Sequence, residues 1–248
     1  MSIHLSVNVN KIATLRNSRG GSSPSVLDAV GVCLDAGAPG ITVHPRADER
    51  HIRPADVTEI VALLDRRGVR PAVEFNIEGD PRPAFLDLVI AARPDQCTLV
   101  PVVPGEVTSQ AGWSEAAGQG LDAVVARLRR AGIRVSVFVD PEEAPIRWAA
   151  AIGAHRIELY TEPFARAFAA GEEAGRTSFA TYTAAARLAH SLGLGVNAGH
   201  DLDLDNLRLF RTLPHLDEVS IGHALVSHAL WVGLDRAVRD YLAVLSAV

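Results

Sequence analysis

Lysine is scarce in this chain, because Lys11 is the only lysine among 24 basic residues. Any mechanism that forms a Schiff base with an enzyme lysine must therefore use Lys11. Cysteine is scarce as well: Cys33 falls in a helical pattern and Cys97 in an apolar strand, with no C-x-x-C or metal-ligand spacing. Both are interpreted as core thiols of a protein in a reducing compartment.

The chain also lacks a long apolar run and an excess of positive charge. No stretch approaches the roughly 18 apolar residues of a membrane span, and residues 1–10 contain no basic-then-apolar signal sequence. The net charge of -5 argues against a nucleic-acid or anionic-membrane partner. We therefore expect a cytoplasmic protein. With 248 residues, 48% of them hydrophobic, the chain is long enough for one large domain over residues 1–248.

Apolar runs typical of β-strands alternate with segments of helical spacing along the whole chain. The predicted strands span residues 3–9, 40–44, 70–77, 96–100, 133–139, 156–160, 195–197 and 218–221. Strict alternation of eight strands with eight helices predicts an α/β fold, a closed (β/α)8 TIM barrel. An open doubly wound sheet is the alternative. It requires a glycine-rich dinucleotide turn after the first strand, and Asn8-Val9-Asn10-Lys11 is not one.

Prolines and glycines predict where the helices begin and end. Ser23-Pro24, Asp80-Pro81 and Asp140-Pro141 each offer an N-cap followed by proline at the first helical position. Left-handed residues that end the preceding helix are predicted just before strands, at Gly37, Gly68, Gly132, Gly153 and Gly193. The stretches 101–120 and 161–177 are too long for simple connections and predict extra short helices or a lid.

In a barrel of this type the carboxyl ends of all strands meet on one face. Most strands end there in a polar group: Asn8, Asn10, Lys11, His44, Arg46, Glu78, Asp140, Glu158, Asn197, His200 and His223. A glutamate that converges with histidines in a barrel mouth is desolvated and charge-coupled, and its pKa then suits proton transfer. Taken singly, Glu78 and Glu158 have the alternative of being ordinary strand-end carboxylates, and Asp140 that of being a helix cap.

Gly199-His200 and Gly222-His223 end the last two strands, and each is predicted to start a helix. Free backbone N–H groups and the positive helix end would bind a phosphate there, and glycine lets the anion approach closely. Arg46 and Arg19 suit a second anion. The histidines and Glu78 would suffice by number for a metal, but H-E-x-x-H spacing is missing, so no metal site is expected.

With these residues laid out, the chain resembles the pyridoxine 5'-phosphate synthase family of vitamin B6 biosynthesis over nearly its whole length. The matching motifs are Val7-Asn8-Val9-Asn10-Lys11-Ile12-Ala13-Thr14-Leu15-Arg16-Asn17, Gly40-Ile41-Thr42-Val43-His44-Pro45-Arg46, Asn76-Ile77-Glu78, Leu99-Val100-Pro101, Val196-Asn197-Ala198-Gly199-His200 and Ile221-Gly222-His223. The resemblance implies condensation of 3-amino-2-oxopropyl phosphate with 1-deoxy-D-xylulose 5-phosphate to pyridoxine 5'-phosphate, phosphate and water. It implies no metal or redox cofactor, and it implies a homo-octamer.

The resemblance also implies a role for each matching position. His44 and Glu78 correspond to proton acceptors, His200 to a proton donor and Glu158 to a carboxylate that stabilises transition states. Contacts to the aminoketone phosphate are implied for Asn8, Arg19, Asp201, Gly222 and His223. Contacts to the deoxyxylulose phosphate are implied for Asn10, Lys11, Arg46, His51 and Thr108.

Two positions depart from the family pattern. Asn10-Lys11 replaces Asp-His, so a carboxylate and an imidazole give way to a neutral amide and a fixed cation. Asp201 replaces a glycine, and its carboxylate would repel a phosphate unless the side chain turns away to cap the next helix. Two other functions stay open: a different phosphosugar aldolase or epimerase, and a non-catalytic phosphosugar-binding barrel.

Overall fold

The computed structural model describes residues 3–70, 72–102 and 109–246, in which eight parallel strands close into a barrel in chain order. This confirms the predicted fold. The strands are β1 His4–Asn8, β2 Gly40–Val43, β3 Glu74–Gly79, β4 Gln96–Leu99, β5 Arg134–Val139, β6 Arg156–Tyr160, β7 Gly195–Gly199 and β8 Leu216–Ile221. Strand β3 begins at Glu74, four residues later than predicted, because the N–H groups of Ala72 and Val73 donate back to the carbonyl of Val69. Strand β7 runs two residues further than predicted, to Gly199.

Helices surround this barrel. In the described ranges they are α1 Asn10–Asn17, α2 Val26–Asp35, α3 Pro54–Arg67, α4 Pro83–Ala92, α5 Leu121–Arg130, α6 Glu143–Ala151, α7 Glu162–Ala170, α8 Glu172–Ser191, α9 Leu207–Phe210, α10 His223–Val232 and α11 Leu234–Ser246. The extra helix predicted within 161–177 is confirmed as α7, whereas described residues 109–120 form turns and no helix. No helix among the described residues is long and apolar enough to cross a membrane.

The hydrophobic core lies between the outer faces of the strands and the helices. Because side chains alternate along a strand, Leu5 and Val7 of β1 or Ile41 and Val43 of β2 point outwards, and each is fully buried under the helices. The predicted core thiols, Cys33 on α2 and Cys97 on β4, are both buried and unpaired there.

The interior of the barrel is polar, unlike the aliphatic layers that usually fill this fold. The buried inward-facing side chains include Ser6, Thr42, Asn76, Gln96, Thr98, Ser136, Glu158, Asn197 and Glu218. Hydrogen bonds connect them between neighbouring strands, as from Asn76 Nδ2 to Thr42 Oγ1 at 3.3 Å, and across the barrel, as from Asn197 Nδ2 to Gln96 Oε1 at 3.4 Å. A buried polar group needs such partners, so this network stabilises the barrel interior.

The predicted helix starts were wrong in all three cases, whereas the predicted ends are confirmed. The helices begin two residues later, at Val26, Pro83 and Glu143. Pro81 and Pro141 instead lie at the centre of three-residue turns, in which the N–H two residues after the aspartate donates to its carbonyl at 2.8 Å. The five predicted terminating glycines all have left-handed φ, between 64° and 95°.

A buried ion pair joins α1 to α3 beneath the loop that carries His51. Arg16 contacts both carboxylate oxygens of Asp56, at 2.5 and 2.9 Å, and also donates to the carbonyl of His51 at 3.2 Å. Asp56 in turn accepts the N–H of Arg53 at 2.7 Å. The ion pair therefore fixes the loop at the mouth of the barrel.

We expect Asp56→Asn to lower the free energy of unfolding by about 3–5 kcal/mol, because it leaves the Arg16 charge buried without a counter-ion. Asp35→Asn is the control, since it removes an exposed ion pair with Arg67 and should cost about 1 kcal/mol or less. Urea denaturation measures both, and equal losses would contradict the structural role of the buried pair.

Candidate active site

A cavity of about 380 Å³ opens at the carboxyl ends of the strands. It brings together twelve of the fourteen predicted site residues: Asn8, Asn10, Lys11, His44, Arg46, His51, Glu78, Glu158, His200, Asp201, Gly222 and His223. Thr108 lies outside the described residues. Arg19 lies on the exposed turn after α1 and is not part of the cavity wall.

His44 and Glu78 face each other in this cavity, with His44 Nδ1 4.0 Å from Glu78 Oε2. The end of β1 holds both residues. Asn8 Nδ2 donates to Glu78 Oε2 at 3.4 Å, and Asn8 Oδ1 accepts the N–H of Asn10 at 3.0 Å. Asn10 Oδ1 then accepts the N–H of His44 at 2.9 Å. Two asparagines thus connect an imidazole and a carboxyl group that come from different strands.

Burial decides the protonation of this pair. It raises the pKa of Glu78 to about 8 against the lowering effect of a hydrogen bond from Ser220, and the charge of Glu218 adds a smaller contribution in the raising direction. Burial, followed by the nearby His51 and Arg46, holds the pKa of His44 well below its usual value. At neutral pH the carboxyl group therefore carries the proton and the imidazole is neutral. His44 Nε2 is buried and has no hydrogen-bond partner among the described residues, so it is available to a ligand.

Glu158 lies deeper, in the middle of β6, and is 2% exposed. Burial and the charge of Glu78 raise its pKa well above the usual range. Its Oε2 has no hydrogen-bond partner in the described ranges. Gly199 of β7 makes room for this carboxyl group, since a Cβ at that position would collide with Glu158 Oε1. Glu158 is thus a neutral acid at neutral pH, able to donate a hydrogen bond to a developing negative charge.

His200 follows β7 and packs between two aromatic rings. Its ring centroid lies 5.2 Å from that of Phe138 and 5.5 Å from that of Tyr160. Burial lowers the pKa of His200, and Lys11 lowers it further against the opposing charge of Asp201. A histidine with a lowered pKa is a stronger acid once protonated, which suits a proton donor.

Only one of the two helix starts predicted at a Gly-His pair exists as predicted. Helix α10 begins at His223 directly after Gly222, but the helix after β7 begins at Leu207, well beyond His200. Asp203, not Asp201, caps the turn before that helix by accepting the N–H of Asn206 at 2.8 Å. The α10 start therefore remains the helix-end site for an anion.

Positive charge is concentrated on the side of the cavity formed by the start of α1 and the loop after β2. Lys11, Arg46 and Arg50 line the cavity, and Arg46 is 6% exposed. His51 also lies here, and burial, Arg46 and Lys11 lower its pKa to about 4. A desolvated arginine is well suited to a phosphate or a polyol oxygen. Among the described residues no group of three or more His, Cys, Asp or Glu side chains is arranged to hold a metal ion.

The sequence analysis missed several residues of the cavity wall, including Thr14, Ser109, Phe138, Leu202 and Ser220. Phe138 could have been found, because it lies two residues after Ser136 on β5 and so shares its inward face. Ser109 could not, since it reaches the cavity from a loop that no periodicity describes. The five histidines at positions 4, 155, 190, 215 and 228 do not line the cavity.

This arrangement defines an acid–base enzyme on a (β/α)8 barrel with groups for anionic substrates at its mouth. The sequence profile of the pyridoxal phosphate biosynthesis protein PdxJ matches residues 5–247. The chain belongs to this family.

The curated relatives carry a single enzyme name. The pyridoxine 5'-phosphate synthase of Leptospira biflexa is 54% identical over 98% of this chain and 96% of the relative. That of Porphyromonas gingivalis is 52% identical, over 96% of each chain. That of Bacteroides thetaiotaomicron is 50% identical, over 96% of this chain and 97% of the relative. The present chain is an enzyme of the same family.

More distant solved structures share the barrel alone. A tryptophan synthase from M. tuberculosis aligns with a TM-score of 0.65 and 13% identity, covering 100% of this chain and 94% of that chain. Phosphoribosyl anthranilate isomerase from Thermotoga maritima aligns with a TM-score of 0.58 and 13% identity, covering 98% and 100%. At such identities the likeness shows the fold and nothing about the reaction.

The raised pKa of Glu78 makes stability depend on pH in a defined direction. Between its usual value of 4.5 and about 8 the folded state holds a proton that the unfolded state releases, so stability falls as pH rises. Relative to the native protein, we expect Glu78→Gln to gain stability across this window, by at most about 1.4 kcal/mol per pH unit. Urea denaturation from pH 5 to 9 measures the difference.

The matched control is Glu59→Gln on the exposed face of α3. Its stability difference from the native protein should stay flat over the same pH range. A flat difference for Glu78→Gln as well would show that Glu78 titrates normally.

Proposed function

We propose that this protein condenses 3-amino-2-oxopropyl phosphate with 1-deoxy-D-xylulose 5-phosphate to pyridoxine 5'-phosphate, with release of phosphate and water. The observation that carries the proposal is the convergence of His44, Glu78, Glu158 and His200 on one cavity with groups for two anions. Both proposed substrates are phosphorylated ketones. Their union requires imine formation, enolisation, phosphate elimination, water addition and ring closure, and each of these steps moves a proton.

The acid–base roles follow from the protonation states. His44 is neutral and lines the cavity, and its Nε2 has no hydrogen-bond partner among the described residues, so it accepts a proton from a substrate carbon or amine. Glu78 is a strong base once deprotonated, because its pKa is raised to about 8. His200 donates protons to leaving oxygens. Glu158, protonated and buried, stabilises the oxyanion that forms on enolisation.

The two phosphates occupy opposite sides of the cavity in this proposal. The aminoketone phosphate binds the backbone N–H groups of Gly222 and His223 at the start of α10, with contacts to Asn8 and Asp201. Arg19 does not line the cavity and is left out of this site. A Cβ at Gly222 would come within 3.0 Å of Asn8, so the glycine lets the start of α10 pack closely against the end of β1. The deoxyxylulose phosphate binds the cationic side of the cavity through Asn10, Lys11, Arg46 and His51. Thr108, which lies outside the described residues, is proposed as a further contact by the resemblance alone.

A Schiff-base aldolase is the first rival, and it would depend on Lys11. Lysines that act as nucleophiles are activated by burial or by neighbouring cations, whereas Lys11 is exposed at the rim of the cavity. Borohydride treatment with a ketone phosphate distinguishes the two mechanisms, because only the aldolase leaves a reduced adduct on Lys11.

The decisive assay mixes the purified protein with both substrates and follows the pyridinol chromophore together with released phosphate. We expect both products from the native protein, and a loss of about 10²–10⁴-fold in kcat/KM for His44→Ala and for Glu78→Gln. His4→Ala is the control, because His4 lies at the opposite end of β1. Absence of both products from active substrates would falsify the proposal and favour a non-catalytic binding protein, whereas full activity of both variants would exclude His44 and Glu78 as proton acceptors.

The same mechanism predicts how activity depends on pH. If Glu78 accepts a proton, kcat/KM rises with pH through about 8, because only the deprotonated carboxylate is active. Rates measured from pH 6 to 9.5 test this, with Glu78→Gln expected to lose the rise. A native profile that falls through the same range would exclude Glu78 as the base.

We also propose that the protein is a homo-oligomer, an octamer by its resemblance, built from single barrel domains in the cytoplasm. Large apolar side chains are exposed on helices α1 and α10, which contact each other: Leu15, Leu230, Trp231 and Val232. Trp231 is 87% exposed, an unusual position for a tryptophan unless a partner covers it.

Light scattering coupled to size exclusion tests this surface. We expect the native protein to elute as an oligomer and Trp231→Glu to shift it towards smaller species, because a buried charge without a partner disfavours the interface. Glu172→Gln on the distant start of α8 is the control. A native protein that elutes as a monomer would contradict the proposal.

A further inference from the structure

The loop after β7 has backbone conformations that side chains rarely adopt. His200 and Asp201 are consecutive non-glycine residues with φ of 84° and 57°. A left-handed conformation is unfavourable for a residue with a Cβ, and it persists only where the surrounding structure holds it. The contacts that hold these two residues therefore also determine where the His200 imidazole lies.

Thr161 holds the first of the two residues. It is fully buried directly after β6, and its hydroxyl lies 2.6 Å from the carbonyl oxygen of Gly199 and in hydrogen-bond contact with that of His200. Its backbone N–H also donates to the Gly199 carbonyl, at 3.1 Å. Threonine before a helix usually caps that helix with its side chain. Here the side chain makes no cap for α7, because the hydroxyl faces the β7 loop instead.

Asn206 holds the second residue. It is 2% exposed, and its Nδ2 donates to the carbonyl oxygen of Asp201 at 3.0 Å. Its Oδ1 accepts the N–H of Asp203 at 2.9 Å, which fixes the amide in this orientation. Thr161 and Asn206 therefore form a clamp, because their hydrogen bonds hold the carbonyl groups on either side of the strained bend. Neither residue lines the cavity.

The same strand end also fixes the imidazole. Tyr160 precedes Thr161, and its ring packs edge-on against His200 at 5.5 Å. Tyr182 on α8 donates to the Tyr160 carbonyl at 2.6 Å and so anchors that strand end. A rotation of the His200 backbone out of the left-handed region would withdraw the imidazole from between the Phe138 and Tyr160 rings.

We propose that Thr161 and Asn206 are positioning residues, which hold the strained backbone of His200 and Asp201 and thereby aim the His200 imidazole at the substrate. The inference rests on the proposed function of His200 as proton donor. An angstrom-scale displacement of a group that transfers protons costs up to about 10²-fold in rate. Of the proposed phosphate contacts only Asp201 lies on the bend that these two hydrogen bonds hold, whereas the α10 start and the cationic residues Lys11 and Arg46 do not depend on them.

The first test uses Thr161→Val, which keeps the shape and removes the hydroxyl. We expect kcat to fall about 10–100-fold, with KM for either substrate changing less than about 3-fold. Thr161→Ser should restore kcat to within about 3-fold of the native value. The control is Thr183→Val, which removes a threonine hydroxyl that donates to a carbonyl within α8, away from the cavity. A native-like kcat for Thr161→Val, or failure of serine to restore it, would overturn the proposal.

The second test is a double-mutant cycle, which separates positioning from general damage. Because the clamp acts through His200, Thr161→Val should lower kcat by less than about 3-fold when it is made in the His200→Gln variant. An equal loss in both backgrounds would overturn the proposal. If Thr161→Val does not fold, Asn206→Asp replaces it in both tests, since it keeps the Oδ1 acceptor and replaces the donor to Asp201 by a carboxylate oxygen that repels the same carbonyl.

A third measurement is independent of turnover. Imidazole NMR, assigned with His200→Gln, reports the pKa of His200 in each protein. Loss of the clamp exposes the ring, so its pKa should move up from its lowered value towards 6.5, while Asp201 and Lys11 remain the charged groups nearest to it. An unchanged His200 pKa in Thr161→Val would contradict the clamp. If the native protein forms no product but this pKa moves, the proposed function fails and the clamp stands.

Discussion

The burial of carboxyl groups inside the barrel is the constraint on which the rest of the structure depends. Glu74, Glu78, Glu158 and Glu218 all point into the interior, where an unpaired negative charge is strongly disfavoured. Glu74 avoids protonation through its ion pair with Arg134, which outweighs the effect of burial and lowers its pKa. The other three have raised pKa values, because burial dominates and each feels another carboxyl group nearby.

This constraint explains why the apolar core lies outside the strands. The outer strand faces and the helices supply the hydrophobic burial that stabilises the fold, so the interior is left for a network of amides, hydroxyls and acids. At the lower end, Arg156 donates to Asn197 at 2.9 Å, and Asn197 donates to Glu218 at 3.3 Å. At the upper end the same network reaches Glu78 through Ser220. The acids proposed to act in catalysis thus belong to the hydrogen-bond network of the barrel interior, at the end where the cavity opens.

Much of the fold and of the site could be predicted from sequence, because their signals are local. Short apolar runs identified the strands, and glycines just before them marked the helix ends. Most site residues directly follow a strand, so barrel geometry gathers them once the strand ends are known. The helix starts predicted at Pro81 and Pro141 were wrong because proline fits the centre of a three-residue turn as well as a first helical turn. Only the packing of the helix that follows selects between the two. The predicted helix at His200 failed for a related reason, since the bend there depends on Thr161 and Asn206.

The sequence by itself determined that eight strands alternate with helices, and that histidines, glutamates and cations follow the strands at one end. These properties depend on neighbours a few residues apart. Only the tertiary structure decided that Glu78 holds its proton near neutrality while His44 does not. That difference arises from burial and from charges on other strands, such as Glu218 beside Glu78 and Arg46 beside His44. Protonation depends on the local dielectric and on distances through space, and neither is written in the order of residues along the chain.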